Sequence, residues 1–173
     1  AYEMLKNNNW LIPYFEGKPD MWNTKPPLMI WMQVICSKIF GYSELAMRLP
    51  SAIAAFLLVL YLQYFVKRYL NNFWFGLITC IVLVTSYGYI NVHSTRTGDY
   101  DSLLCLFLVV YVLSYFLYLD HKNKRDLILF FVALILAVLT KSIQGLLFLP
   151  ALFLYTLMDK KFFIFKDLNV YKG

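Results

Sequence analysis

Charge is scarce in this sequence, and acidic charge scarcest: 173 residues carry 10 Asp and Glu against 16 Lys and Arg, and charged residues amount to 15% of the chain. Soluble domains carry about a quarter, so the chain cannot clothe a water-facing surface of ordinary size. Cysteine occurs three times and histidine twice. Cys36, Cys80 and Cys105 stand far apart in apolar surroundings without metal-ligand spacing, which excludes a disulfide framework or a zinc cluster and reads them as small buried hydrophobes. The seven glycines include no glycine-rich phosphate loop, and no Ser/His/Asp arrangement, internal repeat or low-complexity segment stands out.

What fills the chain is apolar: 61% hydrophobic and 19% aromatic residues place it among integral membrane proteins. Leu49 to Val66, Phe73 to Val92 and Ser102 to Leu119 contain no Asp, Glu, Lys or Arg. Each can cross roughly 30 Å of hydrocarbon as a helix. Leu127 to Thr140 and Ser142 to Met158 are shorter and separated only by Lys141, which suggests a tight hairpin of two short spans, with a re-entrant pair as the alternative. The expected fold class is therefore all-α, a polytopic transmembrane helix bundle. Residues 1–48 are expected to form an extracytoplasmic loop with amphipathic interfacial helices, 49–158 about five transmembrane helices, and 159–173 a cytoplasmic basic tail.

Within the first part, Ala1 to Leu5 resembles the last turns of a helix, stopped by Lys6-Asn7-Asn8-Asn9, and Trp10 to Lys25 mixes aromatics, prolines and charges as interfacial loops do. Pro26-Pro27 suits a helix start. Lys25 just before it is held extended, near the positive end of the helix dipole where an anion such as phosphate is favoured; a lysine snorkelling to the water line is the alternative. The helix from Leu28 to Phe40 is too short to span and carries a narrow polar stripe, Gln33, Ser37 and Lys38, so it is expected in the interface. Gly41 ends it. A short helix around Ser43 to Arg48 should follow, with Pro50 starting the next one. Arg48 serves either as an interfacial anchor or as a second anion contact.

In a soluble protein a net charge of +6 would point towards nucleic acid. Here the positions of the cations matter more than their sum, and no nucleic-acid partner is expected. If the span after Pro50 starts outside, Lys67-Arg68, His121 to Arg125, and Lys160-Lys161 with Lys166 all fall inside, as the positive-inside rule requires. Lys25, Arg48, Arg96, Asp99, Asp101 and Lys141 then share the extracytoplasmic face. The stretch from His93 to Ser102 is the polar centre of that face. A partly shielded carboxylate can act as general base on an attacking hydroxyl or amine, and the Asp99-Tyr100-Asp101 spacing also allows a shared divalent metal or a base with its orienter. Arginine and lysine suit a phosphate leaving group. The combination fits glycosyl transfer from a sugar phosphate, with Asp101 and Asp99 as catalytic residues and Lys25, Arg96, Lys141 and Arg48 binding substrate. Against this, Asp101 could simply be the N-cap of the following helix and Arg96 could pair with Asp99 at the surface. The rival function is a polytopic transporter or lipid-headgroup-binding protein; transport favours ionisable groups within spans, and the three long runs have none. On the third run, Tyr111, Ser114, Tyr115 and Tyr118 form a stripe expected to pack against neighbouring helices.

The ordered series Tyr14-Phe-Glu-Gly-Lys-Pro-Asp-Met-Trp-Asn-Thr-Lys25-Pro26-Pro27-Leu28, Phe40-Gly41, Glu44-Leu-Ala-Met-Arg48-Leu-Pro50-Ser51, Arg96-Thr-Gly-Asp-Tyr-Asp101 and Leu139-Thr-Lys141 resembles family 39 glycosyltransferases. This is the group of protein O-mannosyltransferases and lipid A aminoarabinose transferases with the multi-span GT-C fold. The resemblance covers most of residues 1–158. It implies a polyprenyl-phosphate-linked sugar as donor, an extracytoplasmic acceptor and a bacterial inner-membrane location. It matches Lys25 to the lysine that contacts the donor phosphate, Asp101 to the acid opening the family's fourth helix, and Lys141 to the lysine of the next outer turn; Asp99 is an extra acid. It also implies that the family's first helix and first-loop Asp-Glu pair, which holds the presumed base, precede Ala1, so this stretch alone is expected to be inactive.

Overall fold

The computed structural model describes residues 2–7, 9–20, 25–90, 95 and 97–159. Its elements in order are helix α1 (Tyr2–Asn7), a two-residue hairpin of β1 (Tyr14–Phe15) and β2 (Lys18–Pro19), α2 (Leu28–Phe40), α3 (Glu44–Leu70), α4 (Phe73–Thr85), α5 (Tyr87–Ile90), α6 (Asp101–His121), α7 (Lys124–Lys141), a 3-10 turn (Ser142–Leu146) and α8 (Leu149–Met158). The hairpin turns through Glu16 and Gly17, both at positive φ, and is tied to α1 by the Gly17 amide donating to the Glu3 carboxylate at 3.2 Å. The architecture is all-α apart from this small ladder.

Helix α6 is the centre of the bundle. It packs between α7 and α3, and α4 lies on the far side of α3. Among the described residues three segments are long and apolar enough to cross a membrane: α3, α6 and Lys124–Leu146, the last comprising α7 and the 3-10 turn. Their outward faces carry Phe56, Leu57, Ile128 and Ile135, a surface that water would penalise and lipid accepts. The inward face of α6 bears Tyr111, Ser114 and Tyr118, all buried. Ser114 shares a 2.7 Å hydrogen bond with the Tyr61 hydroxyl on α3, and the Tyr111 hydroxyl accepts from the Phe148 amide at 3.1 Å. In hydrocarbon such hydroxyls need partners, and the stripe provides them between helices. Of the cysteines expected to be buried, only Cys80 is; Cys36 is partly buried and Cys105 exposed.

Several boundaries differ from expectation. The short helix at Ser43 and the span starting at Pro50 form one helix. Ser43 caps it by accepting from the Ala46 amide at 3.3 Å, and Pro50 sits inside, buried. A proline in a helix forfeits one backbone hydrogen bond and crowds the carbonyl four residues back; next to that site the Gln33 side-chain amide approaches the Met47 carbonyl at 3.3 Å, the kind of outside donor that makes such interruptions tolerable. The run from Phe73 to Val92 is not one helix: it breaks at Ser86, whose hydroxyl donates to the Leu83 carbonyl at 2.8 Å, leaving α4 with 13 residues, about 20 Å of length. Of the polar stripe of α2 only Lys38 is exposed. Gln33 and Ser37 are buried against the protein, and Ile35, Ile39 and Phe40 are exposed instead; Lys38 reaches over the Trp10 ring, 4.6 Å from its centroid.

At the end of the bundle opposite Asp101, Arg68 of α3 binds Asp126 of α7 through two hydrogen bonds of 2.6 and 2.7 Å. Asp126 is only 3% exposed. Burial of a carboxylate is tolerated when a guanidinium pairs with it in this two-pronged geometry. Asp126→Leu leaves Arg68 without its carboxylate partner and should cost about 3 kcal/mol, the lower end for a broken buried pair, since Arg68 is partly exposed and keeps its hydrogen bond to the Tyr64 hydroxyl. Thermal unfolding in detergent measures it. Adding Arg68→Met should recover part of the loss, and a loss below about 0.5 kcal/mol, the scale of surface substitutions, would show that the pair does not hold α3 to α7.

Candidate active site at the end of the bundle

Asp101 is the first residue of α6 and Lys141 the last of α7. The two helices are antiparallel neighbours, so these residues, 40 positions apart, meet, and the Lys141 ammonium forms an ion pair with Asp101 Oδ1. The N-cap alternative for Asp101 does not hold: Tyr100 occupies the cap position with no side-chain cap bond, and the Asp101 carboxylate is directed to Lys141. The Lys141 side chain is 17% exposed and that of Asp101 43%.

The chain beyond Lys141 folds back at once. Ser142 takes a positive φ of 47°, a left-handed conformation costly for a non-glycine residue. Gly145 then lies against the backbone of Ala137 and Val138, where an added Cβ would stand 2.5 Å from the Ala137 carbonyl carbon. From Phe148, beside Tyr111, to Thr156, hydrogen-bonded to Tyr115, the chain runs parallel to α6. Residues 127–158 thus form a hairpin whose apex is Lys141-Ser142.

Lys25 arrives from the other side. Two residues after it, Pro27 caps α2, its carbonyl accepting from the Trp31 amide at 2.9 Å. The Lys25 ammonium lies over the ring of Tyr100, 4.7 Å from its centroid. Burial, and secondarily the charge of Asp99, raise the Tyr100 phenol above its ordinary pKa, so the ring stays neutral and presents its π face to the cation. Lys25 and Lys141 line one cavity of about 450 Å³ together with Pro26, Ser142, Ile143 and Gln144. Two cations from segments over a hundred residues apart thereby face one space, with Asp101 bound to one of them.

The other candidates lie around this centre. The Asp99 carboxylate accepts from the Tyr100 amide at 2.8 Å, and its backbone carbonyl accepts from the Ser51 hydroxyl at 3.0 Å. Arg48 pairs with Glu44 and lines a separate cavity of about 490 Å³ with Leu45, Leu49, Ala52 and Thr95. Arg96 and His93 lie outside the described residues. Among the described residues no three His, Cys, Asp or Glu side chains gather as a metal-ligating group. Tyr100, Ser142 and Gln144 were not singled out by sequence. The polar residues following Lys141 inside an apolar run were a readable signal; the cation–ring contact of Tyr100 was not, because it depends on a loop and a helix start that are 75 residues apart.

A model of the dolichyl-phosphate-mannose-protein mannosyltransferase family matches residues 24–171. The chain belongs to that family. The match takes in Lys25, the Asp99-Tyr100-Asp101 stretch and Lys141. An uncharacterised protein of Aquifex aeolicus (strain VF5) is 29% identical over 163 residues, 91% of this chain and 31% of that protein. The crystal structure of ArnT from Cupriavidus metallidurans in the apo state superposes with a TM-score of 0.83 at 19% identity, over 99% of this chain and 32% of ArnT. The fold is therefore that of a helical membrane glycosyltransferase of the GT-C type, and the chain spans about a third of the length of the proteins it matches.

The close seat of Gly145 makes the apex of the hairpin testable. Gly145→Ala places a methyl group against backbone, which cannot move aside as a side-chain tip can. The substitution should lower stability by about 1–3 kcal/mol, the usual cost of overpacking, and increase the exposure of Lys141, read as faster labelling of its amine by an acylating reagent. Unchanged stability and labelling would mean that the fold-back does not set the position of Lys141.

Proposed function

We propose that this chain forms part of the active site of a membrane glycosyltransferase that takes a sugar from a polyprenyl-phosphate donor and passes it to an acceptor on the extracytoplasmic face. The observation that carries this reading is the cavity shared by Lys25 and Lys141, with Asp101 paired to Lys141. Phosphate is the group such a site suits: two ammonium groups offer several donors to its oxygens, and the start of α2 adds the positive end of a helix dipole. In the reaction the acceptor oxygen attacks the anomeric carbon while the bond from that carbon to the phosphate oxygen breaks. The electron pair leaves with the phosphate, and the acceptor proton goes to a carboxylate. Lys25 and Lys141 stabilise the charge that grows on the leaving phosphate. Asp101, paired with Lys141, is assigned as the carboxylate of this chain that serves the reaction, with Asp99 two residues before it, and a base contributed by the rest of the protein is compatible with the same geometry. Arg48 and Arg96 are assigned to substrate binding around the loop, Arg48 at its own cavity.

Donor binding draws Lys141 to the phosphate on this reading; with three N–H donors the ammonium has room to hold a phosphate oxygen beside Asp101 or in its place.

The test is transfer by the full-length protein in membranes supplied with labelled polyprenyl-phosphate sugars. Lys25→Ala and Lys141→Met should each reduce transfer by about a hundredfold or more, the scale for losing one charge-stabilising group. Asp101→Asn should also reduce it. If the wild type consumes no donor from a panel of hexose and pentose derivatives, the transferase reading fails. If only Asp101→Asn retains full activity, the role of that carboxylate alone is withdrawn.

A further inference from the structure

The residues on either side of the cavity come from separate parts of the chain, and something must hold their backbones together. Gln33, in the middle of α2 and 8% exposed, is placed to do so. Its side-chain amide donates to the Gly98 carbonyl at 2.9 Å and lies 3.3 Å from the Met47 carbonyl on α3. The same loop is held from a second direction by Ser51 of α3, fully buried, whose hydroxyl donates to the Asp99 carbonyl at 3.0 Å. Gly98 is what lets the loop approach so closely: an added Cβ would stand 2.5 Å from the Met47 carbonyl oxygen and 2.9 Å from Gln33 Nε2. Two successive carbonyls, those of residues 98 and 99, are thus fixed by side chains of two different helices directly before Tyr100 and Asp101.

We infer that Gln33 is a positioning residue, coupling the helix that follows Lys25 to the loop that carries Tyr100 and Asp101, with Ser51 and Gly98 completing the clamp. The inference rests on the glycosyl-transfer reading for its functional consequence, and not for its structural one. Gln33 lies eight residues after Lys25, on the helix that Pro27 caps, so the clamp ties the Lys25 wall of the cavity to the loop whose Asp101 pairs with Lys141 on the other wall. A buried amide with two carbonyl partners is costly to replace by an apolar group, since those carbonyls are left without their donor. Loosening by a fraction of an ångström is enough to misalign reacting groups.

Two readouts separate positioning from bulk stability. In the full-length protein, Gln33→Leu should raise hydrogen exchange at the amides of residues 97–101 by about tenfold or more, the result of a local opening, while the amides of α6 and α7 below the first turn keep wild-type protection. In the transfer assay it should lower kcat by about ten- to a hundredfold with the donor KM within about twofold. Gly98→Ala, which crowds the clamp rather than removing its donor, should show the same pattern, and Gln33→Glu should not rescue it, because a carboxylate cannot donate to a carbonyl. Unchanged exchange at residues 97–101 in Gln33→Leu overturns the clamp, as does a rise in exchange throughout the bundle. A local rise in exchange with kcat unchanged overturns the positioning role. If wild type transfers no sugar, the functional reading falls, and exchange alone still decides whether Gln33 holds the loop.

Discussion

The ion pair between Asp101 and Lys141 constrains the architecture at the point where its two best-packed helices begin and end. A largely enclosed ammonium is favoured by a counter-charge, and the last residue of α7 and the first of α6 supply the two partners. At the opposite end Arg68 and Asp126 impose the same condition on α3 and α7. With charges pinned at both ends, α7 has no freedom to slide along its neighbours. The apolar residues between them, Leu127, Phe130, Ala133 and Ala137, then pack in a single register. The chain reverses directly after this contact: Ser142, at positive φ, ends α7, and α8 returns alongside α6.

The broad features of this arrangement were legible in the sequence because they rest on composition and on local residues. Charge-free runs of helix-spanning length need only be counted, and the mutual relation of Lys25, Asp101 and Lys141 followed from which end of each run they terminate. The ordered motifs identified the family for the same reason, since each lies at a helix end where backbone geometry demands particular residues. What could not be read were the interactions settled by packing between distant segments. Gln33 and Ser37 form a polar stripe that, on a lone helix, belongs in water. Partners on other segments turn it inward: the carbonyls of Met47 and Gly98 for Gln33, and the Met47 sulfur for Ser37. Pro50 is a reasonable helix start in isolation, and it lost that role to Ser43, whose hydroxyl captures an amide one turn earlier, with α3 accepting the proline inside. Ser86 breaks an apolar run that no charge interrupts, through a hydroxyl bond to its own helix that hydropathy does not register. Asp126, placed in a run of basic residues, reads as a surface acid until Arg68 is found beside it.

The unequal exposure of the two ion-paired groups bears on how an anionic ligand would enter. Water reaches the Asp101 side chain more readily than that of Lys141, so breaking the pair costs less if the carboxylate is the group that leaves: it recovers hydration, and the ammonium need never be without a counter-charge if a phosphate oxygen replaces it. The reverse path would place the carboxylate beside an incoming anion and repel it. A site built in this way holds its cation in place in advance and exchanges only the partner. Pre-placed charge of this kind needs no reorganisation when the leaving group develops its own, which is the property a phosphate-releasing enzyme requires. The helix ends suit this because they are fixed by backbone hydrogen bonds over many turns, while the side chains they carry, Lys141 and Asp101, can exchange partners without moving the backbone.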